Sequence, residues 1–122
     1  MVFLAVLLSL VSFQTAPFKA TLTAATHDPK INTRWAYAVK VTNAAGKPIA
    51  AKITVQIKDP LGTVHPVQFY SVPKNVVNYP IKGVFKDAAT WPPSSRGFAL
   101  NFQVVVTAAG HRRILTYVVT PQ

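Results

Sequence analysis

The sequence predicts an all-β domain built as a two-sheet antiparallel sandwich of about seven strands, and three observations indicate it. From residue 18 to residue 119 the chain is a series of short segments in which apolar and polar residues alternate, as in half-buried strands. Gly, Pro and Asn separate these segments. The body of the chain shows no helical periodicity, which favours two stacked sheets, with a small barrel as the alternative.

Three segments of the N-terminal half predict strands, namely residues 18–24, 34–43 and 51–58. Alternation is clearest in the second of them, where the odd-numbered side chains, Trp35 among them, are expected to point into the core. Residues 43–48 contain the Gly and Pro that form turns and interrupt pairing, so a turn is expected between the second strand and the third.

The middle of the chain predicts shorter and less regular strands. Asp59 begins an Asp-Pro-Leu-Gly tetrad, which has the residue preferences of a type I turn. A short strand is expected over residues 64–70, and Pro66 restricts it to a sheet edge or a bulge. Irregular strands are expected over residues 76–79 and 81–86, where prolines and asparagines interrupt the pattern.

The C-terminal part predicts a crossover followed by a hairpin. Residues 91–97 carry two prolines and a glycine and are expected to cross from one sheet to the other. Residues 98–107 form the longest alternating segment, and residues 112–120 form the last strand. The short Ala-Ala-Gly-His sequence between them is typical of a hairpin turn.

The N-terminus differs from the rest of the chain in composition. Residues 1–13 form an apolar run that is shorter than the ~20 residues needed to span a bilayer and matches the ~7–15 residues of a secretory hydrophobic stretch. We therefore interpret residues 1–16 as a signal-peptide-like or anchor segment and residues 17–122 as the sandwich domain. The protein is then exported, to the cell envelope or outside the cell. The alternative is that the run is a buried first strand.

The charge of the chain favours anionic partners. Thirteen Lys and Arg against three Asp give a formal net charge of +10. The cations are spread along the chain, which is also typical of a solvated exterior, and no nucleic-acid recognition motif is present. Lys82 and Lys86 share a parity and are expected on one face if their segment is a single extended strand. The candidate contacts for an anionic ligand are Lys82, Lys86, Arg96, Arg112 and Arg113.

Two aromatic residues are candidates for contacting a sugar ring. Trp91 lies beside two prolines, outside the strand pattern, and Tyr79 lies in the irregular middle of the chain. Trp35, by contrast, has the parity of a core residue. We therefore expect Trp91 and Tyr79 to form the aromatic platform if the protein binds carbohydrate.

The sequence contains few groups that a reaction requires. The three aspartates are too few and too dispersed for paired-carboxylate chemistry, and no serine has a nucleophile motif. There is no cysteine, so no disulfide forms. We expect no enzyme activity and no cofactor. A metal site would require three widely spaced histidines to converge at one end of the sandwich. They are His27, His65 and His111.

Several segments resemble bacterial immunoglobulin-like domains. Residues 41–49 and 53–57 are similar to the second and third strands of such domains with their intervening Gly and Pro turn, and residues 102–110 and 117–119 are similar to their final hairpin. The resemblance implies an exported sandwich that serves as an adhesive, spacer or accessory module. It implies no catalytic residues.

These observations predict a non-catalytic exported binding or spacer module of the cell envelope. Its expected partner is an anionic envelope polymer, a phospholipid surface or another envelope protein. One alternative is a structural protein-interaction domain that pairs through an exposed edge strand or apolar patch. The other is a periplasmic copper carrier.

Overall fold

Residues 17–67 and 76–122 are described by a computed structural model, and within them eight strands form two antiparallel sheets. A single turn of 3-10 helix, Pro93–Ser95, interrupts the run of strands. The strands are β1 Lys19–Ala24, β2 Arg34–Thr42, β3 Ala50–Lys58, β4 Val64–Pro66, β5 Tyr79–Lys82, β6 Val84–Thr90, β7 Leu100–Ala108 and β8 His111–Val119.

The two sheets have three and five strands. The three-stranded sheet has the order β1-β2-β6, and the five-stranded sheet has the order β4-β3-β7-β8, with β5 also pairing with β3. Because β7 occupies one edge of β3, β4 and β5 share the other edge, β5 along the first half of β3 and β4 along the second. The predicted all-β antiparallel sandwich is confirmed.

The core lies between the sheets and centres on aromatic rings. Trp35, Val55 and Phe102, from β2, β3 and β7, expose 2%, 0% and 0% of their surfaces, as their parity predicts. The Phe102 ring lies 4.9 Å from that of Trp35 and 4.8 Å from that of Tyr37, in edge-to-face geometry. Trp91, from the β6–β7 crossover, adds an edge contact with Trp35 at 5.4 Å.

The hairpin predicted at the C-terminus is confirmed, and its turn is tight. β7 and β8 pair along their whole length, and the last pair joins Ala108 to His111. The two turn residues, Ala109 and Gly110, have φ of 50° and 76°. Positive φ at both positions is the geometry of a type I′ turn, whose twist matches that of the strands.

The strand predicted over residues 81–86 is wrong, because Gly83 divides it between the two sheets. β5 ends before Gly83 in the five-stranded sheet, and β6 begins after it in the three-stranded sheet. The Gly83 carbonyl accepts from Val41 N–H at 2.7 Å, while its own N–H donates to the Ile49 carbonyl at 3.1 Å. Its φ is +77°, and a Cβ there would lie 2.9 Å from Pro48 Cβ. Only glycine fits without strain at this position, where the chain passes from one sheet to the other.

Two loops share one hydrogen-bonded design. In the β3–β4 loop, Asp59 Oδ1 accepts from the N–H groups of Leu61 and Thr63, both at 2.9 Å, and the Asp59 carbonyl accepts from Gly62 N–H. Asn43 holds the β2–β3 loop through the equivalent contacts. The predicted turns at both places are confirmed.

Other predictions hold in part. β4 lies at the edge of its sheet, as expected from Pro66, but covers only three residues, and residues 68–75 lie outside the described part of the chain. Residues 91–97 do cross from one sheet to the other.

The predicted signal-peptide-like segment, residues 1–16, also lies outside the described residues. Within the described ranges, no helix is long and apolar enough to cross a membrane.

The sandwich has two distinct ends. At one, which we call the hairpin end, β1 begins, β2 ends, and the β2–β3 loop, Gly83 and the β7–β8 turn meet. At the other, the loop end, the β1–β2, β3–β4 and β6–β7 loops come together. There the N–H groups of Thr120 and Gly97 donate to the carbonyls of His27 and Pro121.

Candidate anion-binding surface

Basic side chains concentrate at the hairpin end. The antiparallel register brings seven cations there, and no aspartate among the described residues joins them. Asp28 and Asp59 lie in loops of the other end, and Asp87 is buried on the inner face of β6. We call the seven residues the basic cluster: Lys19, Lys40, Lys47, Lys52, Lys82, Arg112 and Arg113.

Three members of the basic cluster lie on the outer face of the five-stranded sheet. Lys52 of β3 and Arg112 of β8 both pair with Thr107 of β7, one on each side of it. Since adjacent strands are ~4.8 Å apart, the two cations arise ~10 Å apart. Lys82 pairs with Ala50, two residues along β3 from Lys52. All three side chains are exposed.

Two further members lie on the opposite side of the molecule. Lys19 pairs with Thr42 and Lys40 pairs with Thr21, so both side chains project from the outer face of the three-stranded sheet. Both are exposed. The cluster therefore surrounds the hairpin end on both outer faces instead of forming a stripe along one of them.

The last two members lie between those faces. The Arg113 guanidinium lies 4.7 Å from the centre of the Phe18 ring. This cation-π contact holds it between β8 and the start of β1, which are edge strands of the two sheets. Lys47 lies in the β2–β3 loop, where its backbone N–H donates to Asn43 Oδ1 at 2.9 Å.

The basic cluster is not neutralised within the described residues. An ion pair joins His65 Nε2 to Asp59 Oδ2 at 2.9 Å, but it lies at the loop end. None of the seven cations forms an ion pair with a carboxylate of residues 17–67 or 76–122. Like charges gathered without counter-charges repel one another, which lowers stability and favours an external anion.

The five predicted anionic contacts do not form one surface. Lys82, Arg112 and Arg113 belong to the basic cluster. Lys86 lies on the outer face of the three-stranded sheet, opposite Ala38 and nearer its middle. The expectation that Lys82 and Lys86 share a face is wrong, because Gly83 transfers the chain between sheets.

Arg96 lies at the loop end, away from Arg112. It precedes β7, whereas Arg112 lies near the start of β8, and the two strands are antiparallel. Four members of the basic cluster were not among the predicted contacts. Alternation places three of them, Lys19, Lys40 and Lys52, on the polar faces of their strands, but which strand ends meet depends on the pairing. The four are Lys19, Lys40, Lys47 and Lys52.

The predicted aromatic platform does not form from Trp91 and Tyr79. Trp91 exposes 1% of its surface and packs against Trp35 and Phe102, so neither face of its ring is available for stacking. Tyr79 packs on Phe85, with ring centres 5.7 Å apart. The crossover carries Trp91 into the core, which its neighbouring prolines did not indicate.

A second surface feature lies at the loop end. A groove of about 630 Å³ separates the β3–β4 loop from the β6–β7 crossover. Leu61 and Phe98, which line it, expose 91% and 54% of their surfaces. The Asp59–His65 pair lies on its rim, and the hydrogen bond from His65, followed by that from Thr63 N–H, lowers the pKa of Asp59.

The three histidines do not converge. His27 stacks on Tyr117 with ring centres 4.0 Å apart and contacts the Val118 carbonyl, near the end of β8. His65 pairs with Asp59, and His111 begins β8 at the hairpin end. In the described part of the chain, no group of three His, Cys, Asp or Glu side chains is placed to hold a metal ion.

One buried phenol lies beside a carboxylate. Tyr37 of β2 pairs with Asp87 of β6 on the inner face of the sheet. Burial, with Asp87 adding to it, raises the pKa of Tyr37 well above its usual range. The phenol therefore stays protonated at neutral pH, so it does not act as a base there.

Comparison with known proteins adds little. No protein-family model and no curated protein matches the chain. A solved structure that is similar to it is the crystal structure of a DUF4466 family protein from Parabacteroides merdae ATCC 43184, with 18% sequence identity and a TM-score of 0.40. The match covers 88% of this chain and 44% of that chain, so this chain spans less than half of its length. Similarity at this level does not establish a family.

Proposed function

We propose that the protein is a non-catalytic, exported immunoglobulin-like module that binds an anionic component of the cell envelope through the basic cluster. The single observation that carries the proposal is the gathering of seven cations, with no aspartate of the described residues, at one end of the sandwich. A field of one sign attracts anions and accelerates their association.

The immunoglobulin-like part of the proposal is supported by strand order. β1, β2 and β6 form one sheet, and β3, β7 and β8 are consecutive neighbours in the other. Constant-type immunoglobulin domains place strands A, B and E in one sheet and C, F and G in the other. β4 and β5 then lie beside strand C.

Export is supported by sequence alone. Residues 1–13 have the apolar composition and the length of a secretory hydrophobic stretch. An exported protein with this charge meets the acidic polymers and anionic lipids of an envelope, and a surface of lysines and arginines suits both.

The test uses two variants with the same net charge. Lys52→Glu, Lys82→Glu and Arg112→Glu are combined in one protein, and Lys30→Glu, Lys58→Glu and Arg96→Glu in the other. All six side chains are exposed, and each triple lowers the formal charge from +10 to +4. Affinity for fluorescently labelled long-chain polyphosphate is then measured at low salt.

We expect the basic-cluster triple to lose at least about tenfold in affinity and the control triple less than about threefold, since each cation near an anionic surface contributes ~1 kcal/mol. We also expect wild-type binding to disappear near ~1 M salt, where the screening length is ~3 Å. Equal losses in the two triples, or binding that is unchanged at high salt, would refute the proposal.

A second candidate function is a protein-interaction domain, and the apolar groove at the loop end favours it. Exposed Leu61 and Phe98 border that groove, and large exposed apolar side chains that lie together often mark interaction sites. We would then expect crosslinking in cell extracts to yield a discrete complex that Leu61→Ser removes. A monomer in both size-exclusion and crosslinking experiments counts against this candidate.

A further inference from the structure

We propose that the anionic partner of the basic cluster is a phospholipid bilayer, on which the sandwich stands upright with its hairpin end against the headgroups. This inference rests on the proposed function, since it names the partner of the same surface. It also specifies an orientation, with the strands near the membrane normal and the loop end directed away.

The cations of the basic cluster are distributed over two opposite faces. Lys19 and Lys40 project from the outer face of the three-stranded sheet, and Lys52, Lys82 and Arg112 from that of the five-stranded sheet. The sheets of a sandwich are ~10 Å apart, so the two groups lie on opposite sides of the molecule. A polymer strand would follow one face, whereas a flat surface across the end of the sandwich lies close to both groups.

The turns at the hairpin end leave room for the cations to reach a flat surface. The tips of its turns carry small residues, Ala44, Ala45 and Gly46 in one loop and Ala109 and Gly110 in the other. Lysines and arginines arise within a few residues behind these tips and are exposed. Side chains of this length and flexibility can reach a flat layer of headgroups past tips that carry only small residues.

The chain enters the domain at the hairpin end. Phe18 is buried, and Lys19 begins β1 at that end, opposite the last residue of β2. The apolar run, residues 1–13, is separated from Phe18 by four residues, which span at most ~14 Å. Insertion of that run into a bilayer would hold the start of β1 within about two screening lengths of the headgroups, since the screening length is ~8 Å at physiological ionic strength.

The experiment measures orientation and not only binding, because the apolar run could attach the chain to any vesicle. The chain contains no cysteine, so single cysteines introduced in the full chain label one site each. Ala45→Cys lies at the hairpin end and Leu61→Cys at the loop end, and both side chains are exposed. A donor dye on each is paired with an acceptor on lipid headgroups.

We expect stronger energy transfer from position 45 than from position 61 on vesicles of phosphatidylcholine with about a third phosphatidylglycerol, an anionic surface of the kind that attracts clustered lysines and arginines. The two positions lie at opposite ends of nine-residue strands, which span ~30 Å. The difference should shrink on pure phosphatidylcholine and in the triple Lys52→Glu, Lys82→Glu and Arg112→Glu, because a short linker alone would leave the sandwich free to tilt. It should persist in the control triple Lys30→Glu, Lys58→Glu and Arg96→Glu.

Equal transfer from the two positions on anionic vesicles, or stronger transfer from position 61, would overturn the inference. A difference that is as large in the basic-cluster triple as in the wild-type protein would do the same. If polyphosphate binding depends on the cluster while the vesicle experiment fails, the proposed function stands and the lipid surface is excluded. If polyphosphate binding does not depend on the cluster, the proposed function and this inference both fail.

Discussion

Asn43 and Asp59 occupy equivalent positions in two loops and differ only in charge. Each side-chain oxygen accepts two backbone N–H groups of its own loop, and each loop has a glycine with φ of 87° three residues later. Short polar side chains that bond to nearby backbone in this way favour turns over strands. Of the two residues, only Asp59 carries a charge, and its carboxylate pairs with His65.

We predict that Asp59→Asn reduces the dependence of stability on acid pH. The hydrogen bond from His65, followed by that from Thr63 N–H, holds the pKa of Asp59 below its ordinary value of about 4 in the folded state. A lowered folded pKa stabilises the protein fully above that ordinary value, and the stabilisation is lost as pH falls through the folded pKa. Asn43 shows that an amide can hold such a loop.

Thermal unfolding followed by circular dichroism from pH 6 to pH 2 tests this prediction. Below about pH 4 the Tm of the wild-type protein should fall more steeply than that of Asp59→Asn, since only the wild-type protein has this carboxylate to protonate. Parallel curves for the two proteins would contradict it.

At the scale of elements, β7 and β8 pair along their whole length, but the turn between them contains one residue that is unfavourable for its backbone conformation. Its turn requires positive φ at both central positions, and Ala109 adopts φ of 50°. Most residues with a Cβ are strained there, but Asn is an exception, and Asn-Gly is the preferred type I′ pair. The sequence around the turn was sufficient to predict a hairpin, but an alanine at position 109 does not indicate which type of turn forms.

We predict that Ala109→Asn stabilises the domain by ~0.5–1 kcal/mol, because the new residue fits the backbone that the turn already has. This should raise the Tm by a few degrees. Ala44→Asn is the matched control, since Ala44 is also in a loop and is not among the residues with positive φ. A Tm that is unchanged or lower in Ala109→Asn, or one that rises equally in the control, would contradict the prediction.

At the scale of the whole molecule, the two sheets are held together by rings that meet at Phe102. It contacts Trp35 and Tyr37 from the opposite sheet and Trp91 from the crossover, and it is fully buried. Domains of this size have ~5–15 kcal/mol of total stability, so the loss of one such side chain is a large fraction of it. The charge is also unevenly distributed, because seven of the twelve cations of the described residues lie at the hairpin end.

We predict that Phe102→Ala destabilises the domain by ~3–5 kcal/mol, through lost burial and the cavity that remains. Phe98→Ala is the matched control, because Phe98 exposes 54% of its surface and should change stability by ~1 kcal/mol or less. Denaturant unfolding of both variants measures the difference. Similar losses for the two would show that the core does not depend on these inter-sheet contacts.

The sequence by itself determined which side chains face inward and where the chain turns. Alternation with a period of two depends on local backbone geometry, so Trp35, Val55 and Phe102 could be assigned to the core from their neighbours alone. The Asp-Pro-Leu-Gly turn and the terminal hairpin are likewise short-range features. The same local reasoning failed at Gly83, because parity continues only while the chain stays in one sheet.

Only the tertiary structure decided which distant residues share a surface. Lys52 and Arg112 lie on either side of Thr107, far apart in the chain, because β3 and β8 both pair with β7. The burial of Trp91 also depends on the tertiary structure, because the crossover packs against the part of the core that the two sheets do not cover. The candidate site consists of strand ends, and their meeting depends on long-range pairing that no short segment of sequence encodes.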